Sequence, residues 1–258
     1  MEDLVACAAR WLAQARQAVA LTGAGLSTPS GIPDFRSQNT GLWENYDPLE
    51  NATFHVFRQH PARFFNWIRP LARQMFEAQP NPAHCALAQL EQIGCLAQIV
   101  TQNIDGLQQR AGARHVVELH GDIHSGVCVG CYQAFHSEQF AADFIEHGVI
   151  PTCPNCGSII KPNIILFGEA LPVNALMSAK RAIGACDVLL VAGSSLEVAP
   201  ASDLPQLARA RQARLIIVNQ GTTYLDDVCD LLIHDDVARV LPAIAAHCAT
   251  LKGSAAQA

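Results

Sequence analysis

The sequence of 258 residues has few charged side chains, no basic excess and no long apolar run. Charged residues make up 16% of it and give a net charge of −6, whereas nucleic-acid-binding proteins present a basic patch. No apolar stretch approaches the length that crosses a bilayer. We therefore expect neither a direct nucleic-acid partner nor a membrane partner. The opening segment MEDLVACAAR also lacks the features of a signal peptide and of an Arg/Ser-rich transit peptide.

The ten cysteines do not suggest the disulfide framework of a small secreted protein. Six of them are scattered through apolar helix or strand patterns, and we expect these six to be buried, reduced thiols: Cys7, Cys85, Cys95, Cys186, Cys229 and Cys248. Reduced thiols are typical of an intracellular protein. The sequence therefore predicts an intracellular, cytoplasmic location.

The other four cysteines form two C-x-x-C pairs, Cys128 with Cys131 and Cys153 with Cys156. Two pairs at this spacing favour one zinc ion held by four thiolates over a redox dithiol. Three nearby histidines offer alternative ligands: His124, His136 and His147. Because four sulfurs already fill a tetrahedral site, the predicted zinc is structural and not catalytic.

Short apolar strands alternate with helical patterns along the chain. The predicted strands are AVALT, LAQIVTQN, HVVELHG, IIKPNIILFGE, DVLLVAGSS and RLIIVNQ, with a last strand and helix from Leu231 onward. Helices are predicted over Asp3–Gln17, Pro82–Ile93, around Val173–Ile183 and around Leu204–Arg211, and a helical stretch from Asn51 to Gln79 is predicted to be interrupted by Pro61 and Pro70. Apolar, uninterrupted strands alternating with helices indicate a parallel sheet covered on both faces.

Polar residues follow five of these strands directly. The five clusters are Gly23 to Ser27; Gln102, Asn103 and Asp105; His120 and Gly121; Gly193, Ser194 and Ser195; and Asn219. Ligands of an open parallel sheet bind outside the carboxyl ends of its strands, so the clusters predict one large polar ligand. The Gly-Ala-Gly turn favours a phosphate group in it. The helix of an ordinary dinucleotide loop is absent here, because Pro29, Gly31 and Pro33 break the chain.

Several motifs together resemble those of one family. GAGLSTPSGIPDFR, TQNIDGL, ELHG, the two C-x-x-C knuckles, KPNIILFGEALP, GSSLEVAP and VNQ occur in the order seen in the sirtuins, the NAD-dependent protein deacylases. The resemblance runs from about Val19 to Leu241 and implies an α/β fold. It implies a Rossmann-like parallel sheet with helices on both faces, formed by residues 1–36, 84–123 and 160–258. A small domain would combine a helical insert, 37–83, with a zinc ribbon, 124–159.

The resemblance also implies an NAD-dependent reaction with acyl-lysine proteins or peptides. The acyl group would be transferred from lysine to ADP-ribose with release of nicotinamide, and the segment after Gly25 would close over NAD as a lid. His120 would be the general base and Asn103 a second catalytic residue, while Asp105 with the backbone of Ile104 would grip the carboxamide. The implied NAD-binding residues are Gly23, Ala24, Gly25, Ser27, Asp34, Phe35, Arg36, Gln102, Asn103, Ile104, Asp105, His120, Gly193, Ser194, Ser195, Asn219 and Val237.

The segments FGE and LEVAP resemble the two edges between which the substrate peptide adds as a strand. The implied substrate-binding residues are Ile104, Ile165, Phe167, Gly168, Glu169 and Val198. The branch of the family that removes succinyl and malonyl groups carries a Tyr-x-x-Arg pair, and this sequence contains no such pair. Ile68 and Leu71 stand at the two positions, which favours acetyl or longer neutral acyl groups unless Arg69 or Arg73 reaches inward.

Three alternatives remain beside this interpretation. Mono-ADP-ribosyl transfer uses the same cleavage of the cofactor, so the sequence does not separate it from deacylation. An NAD-dependent oxidoreductase fits the sheet, but the lid sequence and the zinc ribbon disfavour it. A non-catalytic NAD-binding module would be favoured by replacement of His120 or Asn103, and both residues are present. The target protein and the oligomeric state do not follow from the sequence.

Overall fold

The structure is a computed structural model that describes residues 1–34 and 47–255. Nine strands, numbered in chain order, occur in this part of the chain: β1 Ala18–Thr22, β2 Gln98–Thr101, β3 Val116–Glu118, β4 Gly121–Cys128, β5 Ala134–His136, β6 Ile160–Ile164, β7 Val188–Ala192, β8 Arg214–Val218 and β9 Leu231–Ile233. They form two sheets, one with six strands and one with three.

The larger sheet is parallel throughout and has the strand order β3-β2-β1-β7-β8-β9. In chain order its strands therefore run third, second, first, fourth, fifth and sixth, which is the order of dinucleotide-binding sheets. The order reverses between β1 and β7, and ligands of such sheets bind at this switch point, outside the carboxyl ends of the strands. The topology therefore places a binding crevice beside the loop after β1.

Helices cover both faces of this sheet, as the continuous apolar strands predict. The α-helices of the described residues span Glu2–Gln14, Pro48–Asn51, Phe54–Gln59, Pro61–Glu77, Pro82–Gln92, Leu107–Arg110, Glu138–Ala142, Val173–Ala185, Leu204–Ala210 and Val237–Ala255. Alternate residues of β1 enter different cores: Ala18 and Ala20 pack in one, and Val19 and Leu21 pack in the other. The predicted α/β class with helices on both faces is confirmed.

The first core lies against helices Glu2–Gln14, Pro82–Gln92 and Val237–Ala255, and the second lies against Val173–Ala185 and Leu204–Ala210. The first helix ends at Gln14, earlier than predicted, because Ala15 is extended with φ −61° and ψ 140°. Among the described helices, none is long and apolar enough to cross a membrane.

The smaller sheet is antiparallel, with the order β5-β4-β6. The segment IIKPNIILFGE was expected among the alternating strands of the parallel sheet, and this expectation was wrong for β6, which pairs with β4. An apolar run shows burial but not which sheet it joins. The sheet also begins at Gly121 and ends at Ile164, so it extends beyond the predicted ribbon range of 124–159. The division of the chain into domains remains a prediction.

Helix Pro61–Glu77 packs on this sheet through an aromatic core that includes Phe57, Phe64, Phe65 and Phe144. Pro61 begins the helix at its first turn, where a missing N–H costs nothing. The predicted interruption at Pro70 was wrong, because the helix continues through it. Buried side chains on both sides of Pro70, Ile68 and Leu71 among them, keep the turn packed while it loses one backbone hydrogen bond.

The six scattered cysteines only partly match the expectation of burial. All ten cysteines are free thiols; Cys95, Cys186 and Cys248 are buried, and Cys7 and Cys229 are half-buried. Cys85 is exposed, which corrects the prediction for this residue. On helix Pro82–Gln92 its neighbours His84 and Ala86 are buried, so Cys85 lies on the solvent face between two core positions.

Candidate active site

A cleft of about 430 Å³ opens at the carboxyl ends of the parallel strands. Most of the residues predicted to bind the cofactor line it: Gly23, Ala24, Gly25, Asp34, Gln102, Asn103, His120, Gly193, Ser194, Ser195, Asn219 and Val237. These residues follow six different strands, so the topology alone brings them together. Val198, predicted to bind substrate, lines the same cleft. Phe35 and Arg36 lie outside the described residues.

The loops after β1 and β7 pack tightly because glycines occupy the contact. Gly25 N–H donates to the Gly193 carbonyl at 2.9 Å. A Cβ atom on Gly25 would lie 3.0 Å from that carbonyl oxygen, and one on Gly193 would lie 2.6 Å from the Gly25 carbonyl carbon. Gly193 also has a φ of +61°, which other residues rarely adopt. The glycines therefore allow the two loops to lie in direct contact at the edge of the cleft.

The chain after Gly25 does not form an α-helix. Two short 3-10 helices, Ala24–Leu26 and Thr28–Ser30, follow instead, and Gly31 ends the second at φ +85°. Pro29 lies in the second of these turns. This segment agrees with the expected departure from an ordinary dinucleotide loop, while its role as a lid remains a prediction.

His120 lies in the cleft with its ring orientation fixed. The Gln102 carbonyl lies 2.9 Å from Nδ1 and can only accept, so Nδ1 carries the proton and the Nε2 lone pair is free in the neutral ring. Burial lowers the pKa of His120, whereas the hydrogen bond to Gln102 raises it, and burial is the larger cause. The ring is therefore neutral at physiological pH and can take up a proton at Nε2.

Ser27 and Asp105 do not line the cleft but form a buried network with Asn103, which does. Ser27 Oγ donates to Asp105 Oδ2 at 2.6 Å and accepts from Asn103 Nδ2 at 3.0 Å. Asp105 Oδ1 accepts from the Leu107 backbone N–H at 2.9 Å. These bonds fix the side chains of Asn103 and Asp105 beside the cleft. Ile104, between them, packs on the aromatic core of the small domain instead.

His84, which sequence reasoning missed, completes this network. Its Nδ1 accepts from the Asn81 backbone N–H at 3.3 Å, so the neutral ring carries its proton on Nε2, 3.4 Å from Ser27 Oγ. Burial lowers the pKa of His84 to about 4, against a smaller opposing effect of the Asp105 charge. The signal was available: Asn81 is the N-cap of a helix, and His84 occupies the third helical position, where a capping box normally has Glu or Gln.

The cleft is also lined by residues that the prediction did not include. Asn219 Nδ2 donates to the Gly221 carbonyl at 2.8 Å, which shapes the loop after β8. The additional lining residues are Thr28, Glu197, Gln220, Gly221, Thr222 and Asp236. Several of them directly follow the predicted Asn219, so extending each polar cluster by a few residues would have found them.

The four clustered cysteines converge as their spacing predicts. Their sulfur atoms all lie within 4.8 Å of one another, with Cys128 and Cys156 at 3.4 Å and Cys131 and Cys153 at 3.6 Å. Tetrahedral zinc with thiolate ligands requires sulfurs roughly 3.8 Å apart, so the set fits a zinc ion. The backbone N–H groups of Gly130 and Cys131 point at Cys128 Sγ, as expected for a thiolate that accepts charge-stabilising hydrogen bonds.

The alternative histidine ligands are not part of this cluster. His124 instead places Nε2 2.9 Å from the Asp105 carbonyl, to which it donates, and Nδ1 3.5 Å from Glu138. In the part of the chain that the structure describes, the only group of metal-binding side chains close enough for one ion consists of the four cysteines.

The predicted substrate edge at Phe167 is held by the helical insert. The Phe167 N–H donates to the Ala52 carbonyl, and the Phe54 N–H donates to the Phe167 carbonyl, both at 3.0 Å. The Ile165 N–H donates to the carbonyl of His120 at 2.9 Å, which links this edge to the cleft. Phe167 is 38% exposed, and its role in substrate binding remains a prediction.

Known proteins are similar to this chain over most of its length. The model of the Sir2 family matches residues 23–200. The NAD-dependent protein deacylase 2 of Archaeoglobus fulgidus is 44% identical over 245 residues, covering 95% of this chain and 96% of that protein. The NAD-dependent protein deacetylase 1 of Geobacillus kaustophilus is 43% identical, with 87% and 90% covered.

Solved structures are also similar over nearly the whole chain. A structure from work on the mechanism and regulation of Sir2 enzymes has a TM-score of 0.90 at 42% identity, covering 97% of this chain and 100% of that one. A Sir2 homologue in complex with NAD has a TM-score of 0.87 at 37% identity, with 95% and 93% covered. Sir2Af2 bound to a myristoylated histone peptide has a TM-score of 0.84 at 37% identity, with 98% and 100% covered. The chain therefore belongs to the Sir2 family, the sirtuins.

Proposed function

We propose that this protein is an NAD-dependent protein lysine deacylase, a transferase that moves the acyl group of lysine to ADP-ribose and releases nicotinamide. The observation that carries the proposal is the position of His120, whose unprotonated Nε2 lies in the same cleft as the glycine loop of a dinucleotide-binding sheet. Relatives at 40–44% identity that are named deacetylases or deacylases support it.

The chain's own residues divide the work in the cleft. The loops around Gly25 and Gly193 would bind the phosphates, and Asn103, which lines the cleft and is fixed through Ser27, would hold the ribose. Asp105 is buried beside the cleft, so its Oδ2 would have to exchange Ser27 for the carboxamide. When bound, NAD supplies an electrophilic ribose carbon with nicotinamide as its leaving group. Nε2 of His120 would be the acceptor for the proton of a ribose hydroxyl, so that the hydroxyl oxygen could act as a nucleophile toward the acyl carbon.

The zinc ion that fits the four thiols has a structural role in this proposal. Because Cys128, Cys131, Cys153 and Cys156 supply four ligands, no position remains for substrate. The cysteines tie the end of β4 to the segment 153–156 and so stabilise the small domain.

We further propose that acetyl-lysine is preferred over succinyl-lysine. Ile68 and Leu71 are 3% and 5% exposed, and Ile68 lines an apolar cavity between helix Pro61–Glu77 and the small sheet. Arg69 and Arg73 are occupied elsewhere, since both donate to the Ile145 carbonyl at 2.9 and 3.0 Å. Their side chains therefore supply no partner for an acyl carboxylate near Ile68.

The substrates in this proposal are acyl-lysine proteins or peptides in the cytoplasm. A relative solved with a myristoylated histone peptide supports the substrate class, and the free thiols are consistent with a reducing compartment. Cell fractionation with an antibody to the native protein tests the location.

Mass spectrometry of the products from NAD and an acetyl-lysine peptide tests the activity. We expect free nicotinamide, deacetylated peptide and acetyl-ADP-ribose in equal amounts. A protein or peptide that instead gains ADP-ribose indicates mono-ADP-ribosyl transfer, and reduced nicotinamide indicates an oxidoreductase. Either product without deacetylated peptide would contradict the proposal.

A further inference from the structure

A partly buried ion pair closes the turn that forms the Phe167 edge of the substrate groove. Lys161 Nζ lies 3.0 Å from Glu169 Oε2, and the two side chains are 15% and 20% exposed. Every other ion pair between described residues has a partner that is at least 39% exposed. Exposed ion pairs contribute little to stability. Among the described ion pairs, we therefore expect removal of the one between Lys161 and Glu169 to destabilise its surroundings most.

The ammonium group of Lys161 is fixed by three acceptors. Besides its ion pair with Glu169 it donates hydrogen bonds to the Ile164 carbonyl at 2.6 Å and to the Pro162 carbonyl at 3.4 Å. The ammonium is therefore held by two carbonyl hydrogen bonds and by the ion pair with Glu169. Lys161 lies in β6 and Ile164 ends that strand, so the side chain joins the end of β6 to the turn that follows.

Glu169 closes the turn with both its backbone and its side chain. Its N–H donates to the Leu166 carbonyl at 3.0 Å, and its Oε2 accepts from the Leu166 N–H at 2.9 Å. Gly168, the third residue of this turn, has a φ of +88°, which a type II turn requires at that position. The same Oε2 atom binds Lys161, so the ion pair and the turn share one carboxylate oxygen.

The turn has one edge paired within the protein and one edge open. Phe167 uses its N–H and carbonyl for the insert residues Ala52 and Phe54. Gly168 is exposed, and within the described part of the chain its backbone groups have no partner. A peptide strand that adds here depends on the orientation of those groups.

We propose that Lys161 is a positioning residue for the acyl-peptide groove, acting through Glu169 on the orientation of the Gly168 backbone. This inference rests on the deacylase function proposed above. Loss of the ammonium leaves the Glu169 carboxylate without its cation, so it turns toward solvent and releases the Leu166 N–H. The affinity for the peptide then falls, because the loosened turn must become ordered when the peptide binds. The cofactor cleft around His120 keeps its geometry.

Kinetics of Lys161→Met test the inference, because methionine keeps the length of the side chain and removes every donor. We expect the KM for an acetyl-lysine peptide to rise roughly tenfold, with the kcat and the KM for NAD nearly unchanged. Lys161→Arg retains the charge and should restore most of the peptide KM. Glu169→Gln keeps an acceptor for the Leu166 N–H and should raise the peptide KM less than Lys161→Met does. In the double variant Lys161→Met with Glu169→Gln, the increase in peptide KM, expressed as a free energy, should be smaller than the sum of the two single effects.

Arg16→Met is the matched control, because it removes an exposed ion pair with Asp187 and should leave all three kinetic constants unchanged. Fluorescence anisotropy with a labelled acetyl-lysine peptide measures the same affinity without turnover.

A wild-type protein that does not deacylate overturns the proposed function. Wild-type activity together with an unchanged peptide KM in Lys161→Met overturns this inference alone. A parallel loss of kcat and of NAD affinity in both Lys161→Met and Glu169→Gln assigns the pair to general folding and also overturns it.

Discussion

Ser27 Oγ donates a hydrogen bond to Asp105 across 2.6 Å, although the two residues are 78 positions apart in the chain. The contact joins the loop after β1 to the loop after β2, and the same hydroxyl accepts from Asn103. Ser27 is 1% and Asp105 3% exposed, so water cannot replace either bond. The orientation of two predicted NAD-binding residues therefore depends on one hydroxyl group.

Replacing Ser27 with alanine tests this dependence. The change leaves Asp105 Oδ2 and Asn103 Nδ2 buried without a partner, which costs about 1–3 kcal/mol. We expect kcat/KM for NAD to fall roughly tenfold to a hundredfold. Steady-state kinetics measure the loss, and Ser254→Ala, which removes an exposed hydroxyl on the last helix, serves as the control. Equal activity of the two variants would contradict the role of the network.

His84 makes stability depend on pH. Its pKa is lowered from 6.5 to about 4 by burial, so between these values the unfolded chain binds a proton that the folded protein does not. Stability therefore rises with pH through this window and is lost as pH falls. From pH 7 to about pH 5 the loss due to His84 is about 2 kcal/mol.

Comparing wild type with His84→Gln isolates this contribution, because glutamine does not titrate and can still place a donor near Ser27. Urea unfolding at the two pH values measures the free energy of unfolding. We expect the wild type to lose more stability on acidification than the variant does. Parallel losses would show that other groups cause the pH dependence.

The geometry of His120 predicts separate effects on chemistry and binding. Because its Nε2 acts after nicotinamide leaves, His120→Ala should abolish deacylation while leaving NAD affinity nearly intact. Burial places the pKa of His120 below the usual value, so in the wild type kcat/KM should rise with pH and level off at a lower pH than an ordinary histidine would give. Isothermal titration with NAD and a pH–rate profile check the two statements. Full deacylation by the variant would place the base elsewhere.

The cysteine cluster predicts about one zinc per chain, and a strong chelator should unfold the small domain and remove activity. Cys153→Ser should lose the metal and most of the activity, whereas Cys85→Ser, at an exposed thiol outside the cluster, should lose neither. Elemental analysis, circular dichroism and the deacylation assay measure the three quantities. Metal-free protein with full activity would refute the structural role of zinc.

Features of the fold and of the site could be predicted from the sequence where the same residues are required by the local pattern and by the tertiary structure. AVALT coincides with β1 because a strand buried on both faces must be apolar throughout. The polar clusters coincide with the cleft because parallel strands end at a common edge. The cysteine pairs converge because each C-x-x-C turn brings two sulfurs to one point.

The remaining features depend on contacts that local pattern does not contain. The sheet that β6 joins is decided by its pairing with β4, and the continuity of the helix at Pro70 by packing around Ile68 and Leu71. The capping position of His84 could be read from the sequence, but its contact with Ser27, 57 positions away, appears only in the structure. Lys161 and Glu169 meet for the same reason, because the turn at Gly168 folds the chain back.

Acyl choice follows from the side chains around Ile68. A succinyl group carries a carboxylate, and placing it unpaired against apolar side chains costs several kcal/mol, on the order of a thousandfold or more in rate. The described residues nearest in sequence that could neutralise it, Arg69 and Arg73, donate to the backbone of Ile145 and to Glu146. Turning either arginine inward would break two of its own hydrogen bonds, and turning both would leave the carbonyl of buried Ile145 without these donors. We therefore expect kcat/KM for an acetyl-lysine peptide to exceed that for the succinyl-lysine peptide of the same sequence by a large factor.

A butyryl-lysine peptide, similar in length to succinyl but neutral, separates charge from size: it should be hydrolysed much faster than the succinyl peptide. Equal or reversed values for acetyl and succinyl would show that the acyl group binds away from Ile68.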